Sequence, residues 1–357
     1  MEIIIHKTEK TSIDKVDFNN LKFGTIFTDH MLEVDFVDGA WQTPVIKPLE
    51  KLAIHPGNAA LHYGQSIFEG MKATRSKSGN PLLFRVDKHI ERINESAVRM
   101  CMPEIPAEIF EEGLRTLIYL DKAWIPPQDG SALYIRPFMF ATDEFLGVRA
   151  SEHYKFMILL LPVGPYYTAP VRLKAEEKYV RATYGGVGEA KTAGNYAASL
   201  YPAKLAQKEG FDQIMWLDGK EFKYVQEVGT MNLFFVINGK VLTPETDGAI
   251  LKGITRDTAI QLFRQNGYEV EVRKIEIAEI MNAGKNGTLS EIFGTGTAAV
   301  VAKVKELKYK NESIFLDASN FRVSSWLYDQ VIGIRNQSIP DVNGWLEEVT
   351  EESLTLA

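Results

Sequence analysis

A chain of 357 residues is too long for one small core, so two compact units with room for a cleft are expected. Hydrophobic residues at 45% against 24% charged are an ordinary globular composition, which excludes a disordered or fibrous protein. Forty basic against forty-seven acidic side chains leave a net charge of -7 and no Lys/Arg cluster to track a phosphodiester backbone, so nucleic acid is not an expected partner.

In chain order, Met1–Lys10 lacks the apolar stretch of a signal peptide. The longest apolar run, Phe156 to Val163, is too short for a membrane span and carries Pro162. A cytoplasmic location without a membrane partner is therefore expected. Val34–Val37 followed by Asp38-Gly39 reads as one arm of a hairpin. Asp87–Met100 reads as a helix with Ile90, Ile93 and Ala97 on one face, and Ala107–Leu120 as a second helix. Cys101 is the only cysteine, which excludes an internal disulfide, and its default reading is a buried, inert thiol. The six histidines lack metal-ligand spacing, so no metal is expected. Pro162, Gly164, Pro165 and Pro170 interrupt regular structure near mid-chain and place a linker at 162–174, between units 1–161 and 175–357. Beyond it, Ile214–Leu217 with Asp218-Gly219, and Leu233–Ile237 with Asn238-Gly239 and Lys240–Thr243, read as further hairpins. The class is α+β with mainly antiparallel sheets. The acidic run Glu347–Glu352 reads as a solvated face.

Three segments could carry chemistry. In Gly185-Gly186-Val187-Gly188-Glu189-Ala190-Lys191-Thr192-Ala193-Gly194-Asn195-Tyr196, four glycines surround one lysine. Such a backbone either bends tightly around a flat ligand or is a flexible surface loop. It is not a Walker loop, because Ala190 stands where that motif needs glycine. Lys252-Gly253-Ile254-Thr255 opens an amphipathic run, and its N–H groups and hydroxyl would suit a phosphate as well as a plain helix cap. Gly294-Thr295-Gly296-Thr297-Ala298-Ala299, after a short strand Glu291–Phe293, reads as a turn opening a helix-like segment. It matches G-x-G-x-x-A superficially, but the surrounding hairpins argue against a dinucleotide fold. Glu227, within Gln226–Asn232, is a lone carboxylate in strand-like sequence, where a half-exposed glutamate is the commoner reading. Leu61–Gly70 and Leu133–Pro137 mix aromatics with a cation, and together they could line a pocket for an apolar amino acid.

Taken in order, these segments resemble the branched-chain amino-acid aminotransferases, of the fold type IV group of pyridoxal-phosphate (PLP) enzymes. The likeness runs from Phe23–Met31 to Tyr328–Arg335. Its most specific pieces are Lys191 with Asn195-Tyr196, Glu227–Asn232, and Phe293–Ala298. The resemblance implies a two-domain fold with PLP bound mostly by the C-terminal part, and a homodimer or dimer of dimers. It implies transfer of the amino group of L-leucine, L-isoleucine or L-valine to 2-oxoglutarate, giving 2-oxo acids and L-glutamate.

The family also implies roles for matched residues. Lys191 is similar to the lysine that bonds to the cofactor aldehyde and then moves the α-proton. Glu227 resembles the carboxylate at the pyridine nitrogen, and Tyr196 the phenol at O3′. Arg92 resembles the phosphate-binding arginine, joined by Ile254, Thr255 and Thr297. Thr297 and Ala298 N–H groups, with the Tyr63 hydroxyl, resemble the α-carboxylate cradle. Phe23, Phe68, Tyr134, Tyr166 and Thr230 match the apolar side-chain pocket, and Leu146-Gly147-Val148 a loop donated by the partner subunit. Arg136 resembles the cation that receives the distal carboxylate of glutamate. Mammalian members carry a Cys-x-x-Cys after this turn where Ala299 and Ala302 stand here, so thiol regulation of that kind is excluded. The rivals are a D-amino-acid aminotransferase or aminodeoxychorismate lyase of the same fold group, and a non-catalytic phosphate- or nucleotide-binding module.

Overall fold

The computed structural model describes residues 1–166 and 169–354. The chain separates into two compact units. The first takes in Met1–Tyr166, the short stretch Ala190–Ala193 and the C-terminal segment from Ile332. The second is made of the chain up to Glu189 that follows the first, and of Gly194–Val331. The linear expectation of 1–161 and 175–357 therefore differs from the observed division at two places. Pairing across long sequence separations is the reason: the strand Leu346–Glu348 lies antiparallel to Pro81–Phe84.

The first unit is built on a ten-stranded, almost wholly antiparallel sheet. At its centre Ala132–Ala141 pairs along its whole length with Tyr154–Val163. The expected break at Pro162 does not occur. Pro162 pairs with Leu133 near the end of the strand, a position that tolerates the missing donor. Irregular chain begins only after Val163, and Tyr167 and Thr168 of the expected linker lie outside the described residues. Two helices, Val86–Arg99 and Ala107–Leu120, supply the rest of the core with Ile90, Ile93, Phe110, Leu114 and Leu117. Gly113 is required where the second helix crosses the sheet, because a Cβ there would lie 2.8 Å from Leu32. The buried face of the first helix also carries polar side chains, His89, Arg92 and Ser96, at the i, i+3, i+7 spacing of a single face.

The second unit holds a nine-stranded mixed sheet. Val171–Ala175 pairs in parallel with both Gln213–Leu217 and Val300–Tyr309, so this sheet is less antiparallel than its turn signals indicate. Val225–Val228 pairs with Met231–Ile237 as well as with Gln213–Leu217, which closes the sheet on itself. Leu233, Phe235, Met215, Leu173 and Val304 fill the cluster enclosed by these strands. Phe234 and Phe293 instead stack on the other side, where the helix Ile254–Gln265 brings Phe263 against them.

Asn238-Gly239 makes the expected two-residue turn, with φ of 50° and 79°. Asp218-Gly219 does not. Residues 218–224 separate the two strands, and the Asp218 carboxylate organises them by accepting the backbone N–H groups of Lys220, Glu221, Lys223 and Tyr224. Nor does Gly294–Ala299 open a helix. The strand Leu289–Gly296 extends through both glycines and turns directly into Val300–Tyr309. A Cβ on Gly294 would press on Val228 and Met231, so glycine serves packing here rather than a nucleotide.

Candidate active site

In the first unit, the segment around Lys191 lies along the short strand Ser66–Phe68. The Phe68 N–H donates to the Lys191 carbonyl at 3.0 Å, and Thr192 bridges to Ile67. The Lys191 N–H donates to Ser96 Oγ at 2.9 Å, and that hydroxyl donates in turn to the Arg92 carbonyl at 2.9 Å. The helix that carries Arg92 therefore also fixes the lysine backbone. The Lys191 Nζ lies 4.8 Å from the centre of the Phe68 ring, and the Arg136 guanidinium lies 4.7 Å from the same ring. Arg136 Nη2 donates to the Tyr134 hydroxyl at 3.2 Å. Phe23 stands edge-on to both Tyr134 and Tyr166, at 5.1 and 5.5 Å. Gly70 makes room for this arrangement, since a Cβ there would lie 2.1 Å from the Tyr134 oxygen. An amine and a guanidinium thus share one aromatic wall.

Arg92 sits behind this wall. Its Nε and Nη2 donate to the two oxygens of Glu69 at 2.7 and 2.8 Å, and His89 Nδ1 lies 2.8 Å from the same carboxylate. Burial alone would raise the Glu69 carboxyl, but Arg92 and His89 overcome it and hold the group well below the usual carboxylate range. Burial pushes the His89 imidazole down, against the upward pull of Glu69. Tyr63 ends the helix Ala59–Tyr63 and is 44% exposed, apart from the aromatic wall. Leu146 and Val148 are exposed at 62% and 89%.

The second unit carries the acidic group. Glu227, 3% exposed, pairs with Arg181 at 2.5 Å through Oε2 and accepts a hydrogen bond from Asn232 Nδ2 at 3.2 Å through Oε1. Asn232 lies directly opposite Glu227 on the neighbouring strand, and Thr295 directly opposite Asn232 on the next, so the three share a face. The Thr295 hydroxyl is buried and has no hydrogen-bond partner among the described residues. Glu227, Tyr196 and Thr230 line one crevice together with Arg181 and Leu251. Asn232 Nδ2 also donates to the Leu251 carbonyl at 2.9 Å, just before Gly253, which caps the helix Ile254–Gln265. The first N–H groups of that helix, on Ile254 and Thr255, have no acceptor within the helix and present a partial positive charge. Thr297 and Ala298 occupy the turn between two strands, and Val300 at its end has φ of 61°, a strained value for a β-branched residue.

The chain is similar over nearly its full length to proteins of one kind. The model for amino-transferase class IV matches residues 66–307. Branched-chain-amino-acid aminotransferase 2 of Bacillus subtilis is 47% identical over 344 residues, 95% of each chain. A probable branched-chain-amino-acid aminotransferase of Staphylococcus epidermidis is 47% identical over 94% of this chain and 95% of that one. The chain belongs to the branched-chain aminotransferase family, within class IV. Among solved structures, the Escherichia coli branched-chain amino acid aminotransferase matches with TM-score 0.71 and 26% identity, over 89% of this chain and 99% of the other. A thermophile's branched-chain enzyme (T.th.), solved with pyridoxamine 5'-phosphate, matches with TM-score 0.72 and 27% identity, over 89% and 98%.

For a class IV aminotransferase, each unit carries groups that fit a phosphorylated pyridine aldehyde: the first a primary amine on an aromatic wall, the second a buried carboxylate and N–H groups at a glycine-capped helix start. Four residues of this set escape sequence reasoning. Ser96 is signalled only by its i+4 spacing from Arg92, and Asn232 only by its place in the Glu227 segment. Arg181 and Glu69 carry no local signal, because their partners Glu227 and Arg92 are 46 and 23 residues away in the chain.

Proposed function

We propose that this chain is a PLP-dependent aminotransferase that moves the amino group of L-leucine, L-isoleucine or L-valine to 2-oxoglutarate, giving branched-chain 2-oxo acids and L-glutamate. The observation that carries this reading is the placing of Lys191 Nζ and the Arg136 guanidinium within 5 Å of one phenylalanine ring. One pocket can then hold a hydrocarbon side chain in one half-reaction and a distal carboxylate in the other.

When bound, the cofactor supplies the electron sink that stabilises charge as the Cα–H bond breaks. The chain supplies the rest. Lys191 would hold the cofactor through its aldehyde carbon and would move the proton at the substrate Cα. Glu227 would pair with the pyridine nitrogen and keep it protonated, and Tyr196 would donate to O3′. Arg92, with the N–H groups of Ile254, Thr255 and Thr297 and the hydroxyls of the two threonines, would hold the phosphate as an anchor. The N–H groups of Thr297 and Ala298, helped by Tyr63, receive the substrate α-carboxylate. Phe23, Phe68, Tyr134, Tyr166 and Thr230 enclose the aliphatic side chain and exclude water. The exposed Leu146 and Val148 belong to a loop that reaches into the partner's pocket, so the working unit is a homodimer or a dimer of dimers. A cytoplasmic place in branched-chain amino-acid biosynthesis completes the reading.

Turnover of L-leucine against D-alanine with 2-oxoglutarate tests the substrate class. Activity confined to D-alanine would point to the D-amino-acid enzymes instead. The visible absorbance of the purified protein should bleach on borohydride reduction, and Lys191→Ala should remove both colour and turnover. A fully active Lys191→Ala variant rejects the assignment.

A further inference from the structure

A second cavity, of about 460 Å³, lies within the C-terminal unit and shares no lining residue with the crevice of Glu227 and Tyr196. Its inner wall is apolar, made by the buried Val225, Pro244 and Ile250 beside the Tyr224 ring. The Gln226 amide also lines it. Gln226 is 3% exposed, and among the described residues its Oε1 has no hydrogen-bond partner. A buried polar atom left unpaired costs about 1–3 kcal/mol, so such a group calls for a partner from outside the chain. The amide can offer either end after a flip about its last torsion.

The charges at the cavity narrow the ligand. Asp218 is already engaged with four backbone N–H groups and Asp247 with that of Ala249. Lys220, Lys274, Glu221 and Glu245 remain, and among the described residues none of these four has an ion-pair partner. Lys274 Nζ lies 5.7 Å from the centre of the Tyr224 ring, and two cations and two carboxylates without ion-pair partners around an apolar wall match a molecule that bears both charges and a hydrocarbon group.

We propose that this cavity binds a free amino acid with an apolar side chain. Its ammonium group faces the carboxylates and the Gln226 amide, its carboxylate faces Lys274, and its hydrocarbon rests on Val225 and Ile250. The walls belong to segments that run on into the cofactor set: Thr183 precedes the Gly185–Gly188 turn, Gln226 adjoins Glu227, and Ile250 precedes Leu251–Gly253. Ligand that orders these segments tightens the cofactor by linkage. The linkage rests on the proposed function, whereas the binding does not.

Calorimetric titration of the purified holoprotein with α-methyl-L-leucine reads the site, since this amino acid has no α-hydrogen to lose. Two binding events per chain are expected, one of them weakened at least tenfold by Gln226→Met and by the surface change Lys274→Glu. The Gln226-sensitive event should be absent with 4-methylvalerate, which lacks the ammonium group, and with isopentylamine, which lacks the carboxylate. A single event per chain, two events indifferent to both substitutions, or equal binding of either analogue at the Gln226-sensitive site overturns the proposal. Failure of L-leucine turnover would count against the proposed function alone, because the calorimetric event does not depend on it.

Discussion

Arg136 faces a conflict of solvation: a guanidinium must lie beside an apolar pocket without emptying it of apolar ligand. Its guanidinium lies over the Phe68 ring and gives one N–H to Tyr134, which in the proposed role would keep the charge partly satisfied beside a leucine side chain. Among the described residues its Nε has no hydrogen-bond partner. Arg136→Met should therefore raise KM for 2-oxoglutarate by roughly 10- to 100-fold, the equivalent of ~1.5–3 kcal/mol for a hydrogen bond to a charged group. KM for L-leucine should change less than about threefold. Single half-reactions followed by absorbance separate the two, and equal losses in both would show that Arg136 supports the fold of the pocket instead. Lys191 is legible from the glycines around it, and Glu227 and Arg136 are legible only through the resemblance of their segments. Arg181 is not, because an arginine 46 residues upstream of its glutamate carries no local mark.

At the level of elements, Gly253 and Asn232 act as one joint. Asn232 Nδ2 bridges Glu227 on its neighbouring strand to the carbonyl of Leu251, and its Oδ1 comes within 1.8 Å of where a Cβ on Gly253 would stand. The glycine is needed for close approach and not for backbone angles, since its φ is -68°. Gly253→Ala should push the Asn232 amide off Glu227 and disturb the start of the helix together. Cofactor retention should fall by about 10- to 100-fold, corresponding to ~1.5–3 kcal/mol. Equilibrium dialysis against free PLP measures this, and unchanged retention would show that the joint has no part in holding the cofactor. The composition of Lys252–Thr255 marks a turn before a helix. That the turn abuts a strand amide is a matter of packing, and only the folded chain shows it.

For the whole molecule, three titratable groups of the N-terminal unit give stability a common dependence on pH. His89 is pushed below its ordinary 6.5, so the unfolded chain takes the proton first and stability falls as pH drops through that value. Glu69 adds a loss below its ordinary 4.5, because its folded carboxylate holds off protonation to lower pH. Lys72 is pushed down to about 7 by burial and by the nearby charge of Arg335. Its unfolded form keeps a proton up to about 10.5, so this group makes stability rise between pH 7 and 10.5. Melting temperatures of Lys72→Met and the parent, compared across pH 5 to 10, should diverge only on the alkaline side, with the rise missing in the variant. Parallel curves would show that Lys72 is not buried in the folded state. Sedimentation should find dimers or a multiple of them, and a chain that remains monomeric at micromolar concentration would remove the role proposed for Leu146–Val148.

The sequence by itself determined the α+β class and the two long N-terminal helices, and its ordered segments carried the resemblance that implied the family, the lysine, the carboxylate and two arginines. These rest on periodicity and on short segments whose chemistry is local. Only the tertiary structure decided that the C-terminal strand returns to the first sheet, that the second sheet closes on itself, and that Gly294 and Gly296 belong to a strand. It alone decided which charges meet: Arg181 with Glu227, Arg92 with Glu69, Lys191 with the ring that also bears Arg136. Pairing of strands and burial of charge depend on residues distant in the chain, and their energy exists only once the chain has folded.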